Sequence, residues 1–389
     1  MTANIVDFMK FPKRKERQNR MGDEREQELL AVLDTPSLYP EIERKPRDQR
    51  EAELREWLRK YDEVNKCYNL YGMDRVDAVD CDKWLDLKTF GKHRYAVNSS
   101  YAPAGSNFLF NHTLITRNKL VFEMFLSYWY GPESGVYMPS IAVFNGKDFF
   151  TCEKGPQRMV AGDFDAFIKR YDTGQRLVFK EAFGQKGKQV HIATVDSGKL
   201  LVDDECLSPA EFAAKIAGDG LTWLVQDYIF QHKVMSDFNP TSVNTLRIVT
   251  YHTGSRCFVE DAAVRMGYPG ELVDNAFSDG FYTNIDSTGK LDESLFNFSM
   301  KTRRIHEWQD VRIPAAAEAF QFCVDLHSRT PELFSVGWDI AIKEDGTPLV
   351  IEANDSWAVF VTQTAFGHAA RPAWESHPAE RQAFMASRS

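Results

Sequence analysis

The stretch Val336-Gly-Trp-Asp-Ile-Ala-Ile-Lys-Glu-Asp-Gly-Thr-Pro-Leu-Val-Ile-Glu-Ala-Asn354 decides how this chain is read. Two apolar runs flank Asp345-Gly346, a dipeptide that favours a two-residue hairpin turn. With those two residues as the loop, Glu344 faces Thr347, Ile342 faces Leu349, and Asp339 faces Glu352. A four-residue loop gives the same partners, whereas an odd-numbered loop breaks the match. Directly opposed side chains in an antiparallel pair have Cβ atoms roughly 4.5–5.5 Å apart, and like charges there repel. Two facing carboxylates are therefore tolerable only with a cation between them. Asn354 lies two residues beyond Glu352 and projects from the same face. Asp339, Glu352 and Asn354 make a hard oxygen-ligand set. Such a set suits Mg²⁺, which keeps the rest of its octahedron for water and phosphate oxygens. The competing reading is a solvent-exposed acidic hairpin. Apolar residues beside both acids, with Trp338 and Trp357 close by, favour the metal site.

A second feature lies upstream, in Leu177-Val-Phe-Lys-Glu-Ala-Phe-Gly-Gln-Lys-Gly-Lys188. A lysine at a strand end precedes a turn with Gly184 and Gly187. Glycine lets backbone N–H groups approach an anion, and Lys180, Lys186 and Lys188 add positive charge. A Walker A loop is absent. A lysine-rich hairpin tip is the bland alternative, with even odds in isolation. A third feature, Leu221-Thr-Trp-Leu-Val-Gln-Asp-Tyr-Ile-Phe230, is an apolar strand that becomes a linker. It can offer backbone donors and acceptors to a flat base, or simply be a buried strand.

The remainder bounds the class. The chain has 389 residues, 43% hydrophobic and 13% aromatic, enough for two or three domains with real cores. The net charge of −9 argues against nucleic acid as the main partner. Six scattered cysteines form no Cys-x-x-Cys pair and suit a reducing compartment. No apolar run reaches membrane-spanning length, so a cytoplasmic protein is expected. Residues 1–50 read as a charged, partly disordered arm and 51–115 as a helical or mixed region, with a helix over 51–70. Residues 116–230 and 231–389 read as two α+β units. Thr116 is expected to cap a helix over Arg117–Tyr130. The mixture of antiparallel strands and segregated helices predicts an α+β fold.

The order of features then resembles a known superfamily. Lys119 on an early helix is followed by Val-Phe-Lys180 with its glycine loop, the Val-Gln-Asp-Tyr-Ile strand, and Gly-Trp-Asp339 … Ile-Glu352-Ala-Asn354. This resembles the ATP-grasp superfamily. Pro240-Thr-Ser-Val-Asn-Thr-Leu-Arg247, Val273-Asp-Asn275 and Val336-Gly-Trp-Asp339 resemble its sugar-transfer associated branch. The likeness covers roughly residues 110 to 360. It implies two α+β subdomains clasping ATP, with an N-terminal, mostly helical extension. It implies that Lys119 and Lys180 contact phosphates and that the 184–188 loop, with Lys186, Gly187 and Lys188, covers them. It implies that Gln226, Asp227, Tyr228 and Ile229 border the adenine, and that Asp339, Glu352 and Asn354 bind Mg²⁺. Two departures stand out. Gly337 occupies the place where many ATP-grasp ligases carry an arginine. Gln231, His232 and Asp237 stand where a ribose-binding acid is usual.

Arg247 sits in an apolar strand and Arg265 ends a following one. A strand arginine among apolar residues needs an anionic partner. The functional reading is a clamp on a γ-phosphate or substrate carboxylate. The bland one is a salt bridge to Glu260, Asp261 or Asp274. Asp274-Asn275 and Asp279-Gly280 are candidates for an acceptor pocket. His306 and His327 are read as satisfied surface histidines rather than bases. These features point to an ADP-forming carboxylate–amine ligase. It would make an acyl phosphate from ATP and a small-molecule, sugar-linked or peptide-linked carboxylate, for attack by an amine. The branch name associates such a reaction with glycoconjugate, polysaccharide or natural-product biosynthesis. A kinase acting on a small molecule or sugar, and a non-catalytic nucleotide-binding scaffold, are the alternatives.

Overall fold

The computed structural model describes residues 14–99, 112–153, 155, 158–184, 190–217, 221–274, 279–308, 310–365 and 370–387. In chain order the helices α1 (Arg14–Asp34), α2 (Arg47–Tyr61), α3 (Leu87–Ser99), α4 (Leu114–Arg117) and α5 (Lys119–Tyr130) come first. Next are β1 (Ala142–Phe144), β2 (Phe149–Cys152), β3 (Met159–Ala161), α6 (Phe164–Ile168), β4 (Arg176–Glu181), β5 (Val190–Asp196), β6 (Lys199–Val202), β7 (Glu205–Leu207), α7 (Pro209–Ala217) and β8 (Trp223–Asp227). The chain continues through α8 (Lys233–Phe238), β9 (Thr245–His252), β10 (Cys257–Met266), β11 (Phe281–Asn284), β12 (Ser294–Asn297), β13 (Thr302–Ile305) and α9 (Ala316–His327). It ends with β14 (Ser335–Ile342), β15 (Pro348–Asn354), α10 (Phe360–Ala365) and α11 (Arg371–Ala386).

Two antiparallel sheets result. One has the order β3-β2-β1-β8-β4-β5-β6-β7, the other β13-β12-β11-β10-β9-β14-β15. In β4, Leu177 and Phe179 point into a core shared with α6 and α7, so Val178 and Lys180 point the opposite way. In the second sheet, Leu246, Ile248, Val264, Trp338 and Ile340 pack with α9 residues Ala319 and Cys323. Arg247, Arg265 and Asp339 therefore share the other face. Much of that other face is covered by the N-terminal helices and by α10 and α11. Leu54, Trp57, Ala263, Tyr282 and Phe360 form one buried cluster there.

Several local expectations change. The charged N-terminal segment is helical from Arg14, anchored by fully buried Leu29 and Leu33. The helix expected over 51–70 spans Arg47–Tyr61 and stops at Asp62 in the left-handed region. Asn118, not Thr116, caps α5, accepting hydrogen bonds from the Leu120 and Val121 N–H groups. A short helix ends just before it, so the first free donors belong to the residues after Asn118. The strand expected over 221–230 pairs only as far as Asp227. No helix among the described residues is long and apolar enough to cross a membrane.

Candidate active site between the two sheets

The hairpin places Asp339 opposite Glu352, as expected, but by another route. Ile342 pairs with Pro348 and Ala341 with Leu349, the register of an odd-numbered loop. The Lys343 N–H donates to Thr347 O and the Gly346 N–H to Lys343 O, closing a three-residue turn with Gly346 at φ +84°. A β-bulge at Ile351 then restores the partnership of Asp339 with Glu352 and of Gly337 with Asn354. Bulges re-aim side chains next to sites, and this one turns Glu352 to the face of Asp339.

β14 also pairs with β9, which sets Arg247 directly beside Asp339. Arg247 Nε and Nη2 donate to the two Asp339 oxygens at 2.6 and 3.0 Å. Arg265 Nη1 spans the same two oxygens at 3.2 and 3.3 Å, and its Nη2 pairs with Asp274. Asp274 also accepts from the Thr245 hydroxyl. The expected salt bridge to Asp274 thus exists for Arg265, while Arg247 takes Asp339. Gly337 makes room for this: a Cβ there would meet Arg247 Cδ at 3.3 Å and Trp357 Cβ at 2.8 Å. An arginine from the neighbouring strand occupies the space that a longer residue at 337 would fill.

Burial works to raise Asp339, but the Arg247 and Arg265 guanidiniums outweigh it and hold the carboxyl below its usual range. Burial first, and then the Asp339 charge, push Glu352 up. Lys119 lies against it with Nζ at 3.9 Å, and Arg265 acts on it as a second cation. Lys119 also donates to Gly184 O and so bridges the two sheets. Lys180 faces it across the cleft and is brought down to about 8, by burial and then by Lys119. Two lysines crowded together, with Glu352 near both and Glu123 acting on Lys180, form a ready anion site.

These groups line one cleft of about 370 Å³ between the sheets. Val178, Ile192, Tyr137 and Val350 wall one end, where Gln226, Asp227, Tyr228 and Ile229 run along the edge. Gln226 is pinned by a 2.6 Å bond from its Nε2 to Met138 O. Trp357, Ala358, Phe360, Leu272 and Val273 wall the other end. Asn354 lines the cleft, with Oδ1 accepting the Ser356 N–H at 2.7 Å.

Lys186, Gly187, Lys188 and Asn275 lie outside the described residues, whereas Gly184 lines the cleft. Gln231 is committed to Ser242 O and the Asn244 N–H, His232 caps α8, and Asp237 pairs with Lys233. His327 is fully buried rather than on the surface, bonded to Thr250 and Leu333 O. His306 is buried too, and neither histidine lines the cleft. Sequence reasoning missed Arg117 and Asp355. Arg117 Nε donates to buried Asp355 at 2.9 Å, beside a 2.9 Å bond from the Thr116 hydroxyl. It also missed Glu123, which lies four residues after Lys119, a helical spacing that could have flagged it. Glu123 accepts both the N–H and the hydroxyl of Ser140, and burial raises its pKa.

With the geometry in place, comparison with known families identifies the class. The model of the sugar-transfer associated ATP-grasp family matches residues 132–377, and the chain belongs to that family. Its fold is the ATP-grasp fold, preceded by an N-terminal helical region. Among solved structures it is similar to the ATP-grasp ligase PsnB complexed with minimal precursor, at 13% identity and a TM-score of 0.35, covering 68% of this chain and 60% of that one. It is similar to D-alanine–D-alanine ligase from Bacillus anthracis at 12% identity and a TM-score of 0.36, covering 70% and 67%. For D-cycloserine synthetase DcsG the values are 13% and 0.37, covering 67% and 71%. The chain thus spans about 60% of the length of the PsnB chain. Comparison with curated proteins gives no match.

Proposed function

We propose that the protein is an ATP- and Mg²⁺-dependent ligase that activates a carboxylate as an acyl phosphate for attack by an amine. One observation carries this reading. Lys119 and Lys180 share one cleft with the Asp339–Glu352 pair, and Arg247 and Arg265, both bonded to Asp339, line the same cleft. ATP is read with its base against Val178, Ile192 and the Gln226–Ile229 edge and its phosphates at Lys119 and Lys180.

The residues fit a divalent ion. Among the described residues no three His, Cys, Asp or Glu side chains cluster for a metal, so the set needs the Asn354 amide. Glu352 stays pushed up beside Asp339 although Lys119 and Arg265 act on it, so a further positive charge between the two acids would suit the site. Both Asp339 oxygens already accept from arginine, with the Arg265 contacts the longer ones, so Asp339 would share its oxygens with an ion. Mg²⁺, when bound by Asp339, Glu352 and Asn354, neutralises phosphate oxygens. The lysines stabilise the transferring phosphoryl group. The planar fork of Arg265, held to Asp339 by its longer contacts, would orient the substrate carboxylate, while Arg247 keeps Asp339 in place. No nucleophilic side chain is needed.

The test is Mg-ATP turnover over a panel of amino acids and uronic acids with hydroxylamine present. Hydroxamate with ADP supports the ligase. A stable phosphoester supports a kinase, and nucleotide binding without turnover supports a scaffold. Asp339→Asn with Glu352→Gln is expected to abolish turnover while leaving a folded protein; normal Mg-ATP turnover in that variant sinks the metal assignment.

A further inference from the structure

A second, small cavity of about 10 Å³ adjoins the cleft, sharing Arg247, Trp357, Ala358 and Val361 as walls. Its other polar lining is Asp261 and Thr362. Asp261 is only 5% exposed, and its Oδ2 has no hydrogen-bond partner. No cation acts on it among the described residues; the Thr362 side chain from α10 hydrogen-bonds its carboxyl, a partial offset to burial that leaves Oδ2 free. A buried carboxylate without a counter-ion is costly to keep, and such groups call for a functional account.

The backbone aims it. A bulge at Glu260 shifts the β10 register, and Asp261 pairs with Val249, two residues from Arg247 on β9. Asp261 therefore stands on the face that carries Arg247, Arg265 and Asp339. Diagonal neighbours on one face lie roughly 7–8 Å apart, too far for an ion pair and right for one small group between them. A volume near one probe sphere takes a single water-sized head, such as a water or a primary ammonium. Arg247 already spends its charge on Asp339.

We propose that Asp261 seats the ammonium head of the acceptor and takes a proton from it ahead of attack. This rests on the ligase reading and names the nucleophile as a primary amine. Loss of that proton to Asp261 Oδ2 frees the nitrogen lone pair. As the N–C bond forms, the C–O bond to phosphate breaks, phosphate leaves with that electron pair, and the second proton lost from nitrogen goes to the departing phosphate. Burial, and then Glu260, bring Asp261 up to about 7, so it can both accept and return a proton near neutrality. The charged and titratable groups around it are Glu260 on β10, Tyr251 and Arg247 on β9, and His377 on α11. Glu260 is bonded to His377 Nε2 at 3.1 Å and is partly exposed, which gives the proton an exit to solvent.

Two measurements test this. First, the melting temperature at about pH 8, above the Asp261 pKa, is read in methylammonium chloride against sodium chloride of equal strength. Methylammonium is expected to raise it for the native protein, and Asp261→Asn and Asp261→Leu are each expected to abolish the difference. Second, with any carboxylate that gives hydroxamate, methylamine and hydroxylamine are compared as acceptors. Hydroxylamine is unprotonated at neutral pH and needs no such base. In Asp261→Asn the ratio of amide to hydroxamate is expected to fall about 100-fold, the scale of general-base catalysis, and to recover as pH frees the amine. An unchanged ratio, equal loss of both products, or no methylammonium effect on the native protein overturns the assignment. If the native protein forms neither product, the ligase reading falls and the proton-transfer role with it. The methylammonium comparison then decides alone whether the pocket seats a cation.

Discussion

Lys180 is the most sensitive reporter of the phosphate site. Below about pH 8 the free protein already carries the charge that an incoming phosphate needs; above it, the ligand must draw a proton in. Affinity for ATP is therefore expected to fall as pH rises through about 8, by up to tenfold per unit. Lys180→Met is expected to weaken binding about 10- to 100-fold, the worth of a charge-assisted hydrogen bond, and to flatten that slope. Calorimetric titration at several pH values reads both effects; an unaltered slope in the variant removes Lys180 from the site. Arg247 and Asp339 form the other testable unit, joined in parallel, with Asp339 buried and Arg247 partly so. Arg247→Ala is expected to cost about 3–5 kcal/mol, because it leaves a buried carboxylate short of charge. In an Asp339→Asn background the same change is expected to cost much less, and denaturant unfolding of the four proteins measures the difference. The two arginines were visible in sequence as charges among apolar residues. Asp274 was named as a candidate partner and pairs with Arg265, but Asp339 was not, because Arg247 and Asp339 lie 92 positions apart and meet only through the β9–β14 ladder.

At the scale of the element, the hairpin shows how a correct pairing can rest on an incorrect loop. Period-two alternation made Asp339 and Glu352 legible as facing acids. What alternation cannot show is a pair of compensating irregularities, here an odd loop closed at Gly346 and a bulge at Ile351. Each alone would send Glu352 to the opposite face, where it would meet the apolar core. The loop half is testable by Gly346→Val, since φ there is +84° and no neighbour lies within 4 Å of an added Cβ. The cost is then backbone strain alone, roughly 1–2 kcal/mol, readable by thermal or denaturant unfolding. A loss near zero would mean that the turn takes another form. The glycine-rich segment shows the reverse limit. Its lysines were named for their charge, and only Gly184 at its start can be placed against the cleft.

At the scale of the whole molecule, the region before residue 100 braces the site through Asn98 and Leu85, although residues 1–110 carry no recognisable chemistry in sequence. Asn98 on α3 is fully buried. Its Nδ2 donates to Ser335 O at 3.0 Å and Asp355 O at 3.3 Å, and its Oδ1 accepts the Phe334 and Ser335 N–H groups, each at 3.0 Å. One amide thus ties the start of β14 to the end of β15, beside Asn354 and the Arg117–Asp355 pair. Gln363 on α10 does the same for Leu85, exchanging bonds of 2.8 and 3.1 Å with its N–H and C=O. Neither residue could be singled out in sequence, because a buried amide and a loop amide look alike until their partners are known. Asn98→Leu fills a similar volume but leaves four backbone groups without that partner. Each such group costs about 1–3 kcal/mol when buried and unpaired, so a loss of several kcal/mol is expected, reduced where water or relaxation reaches the backbone. The functional effect should be uneven. The first sheet and its lysines do not touch Asn98, so ATP affinity is expected to stay within a few-fold. The far wall, next to Asp355 and Trp357, should loosen and raise KM for the acceptor more than KM for ATP. If both rise together, the N-terminal layer supports the fold as a whole and not the acceptor end of the cleft.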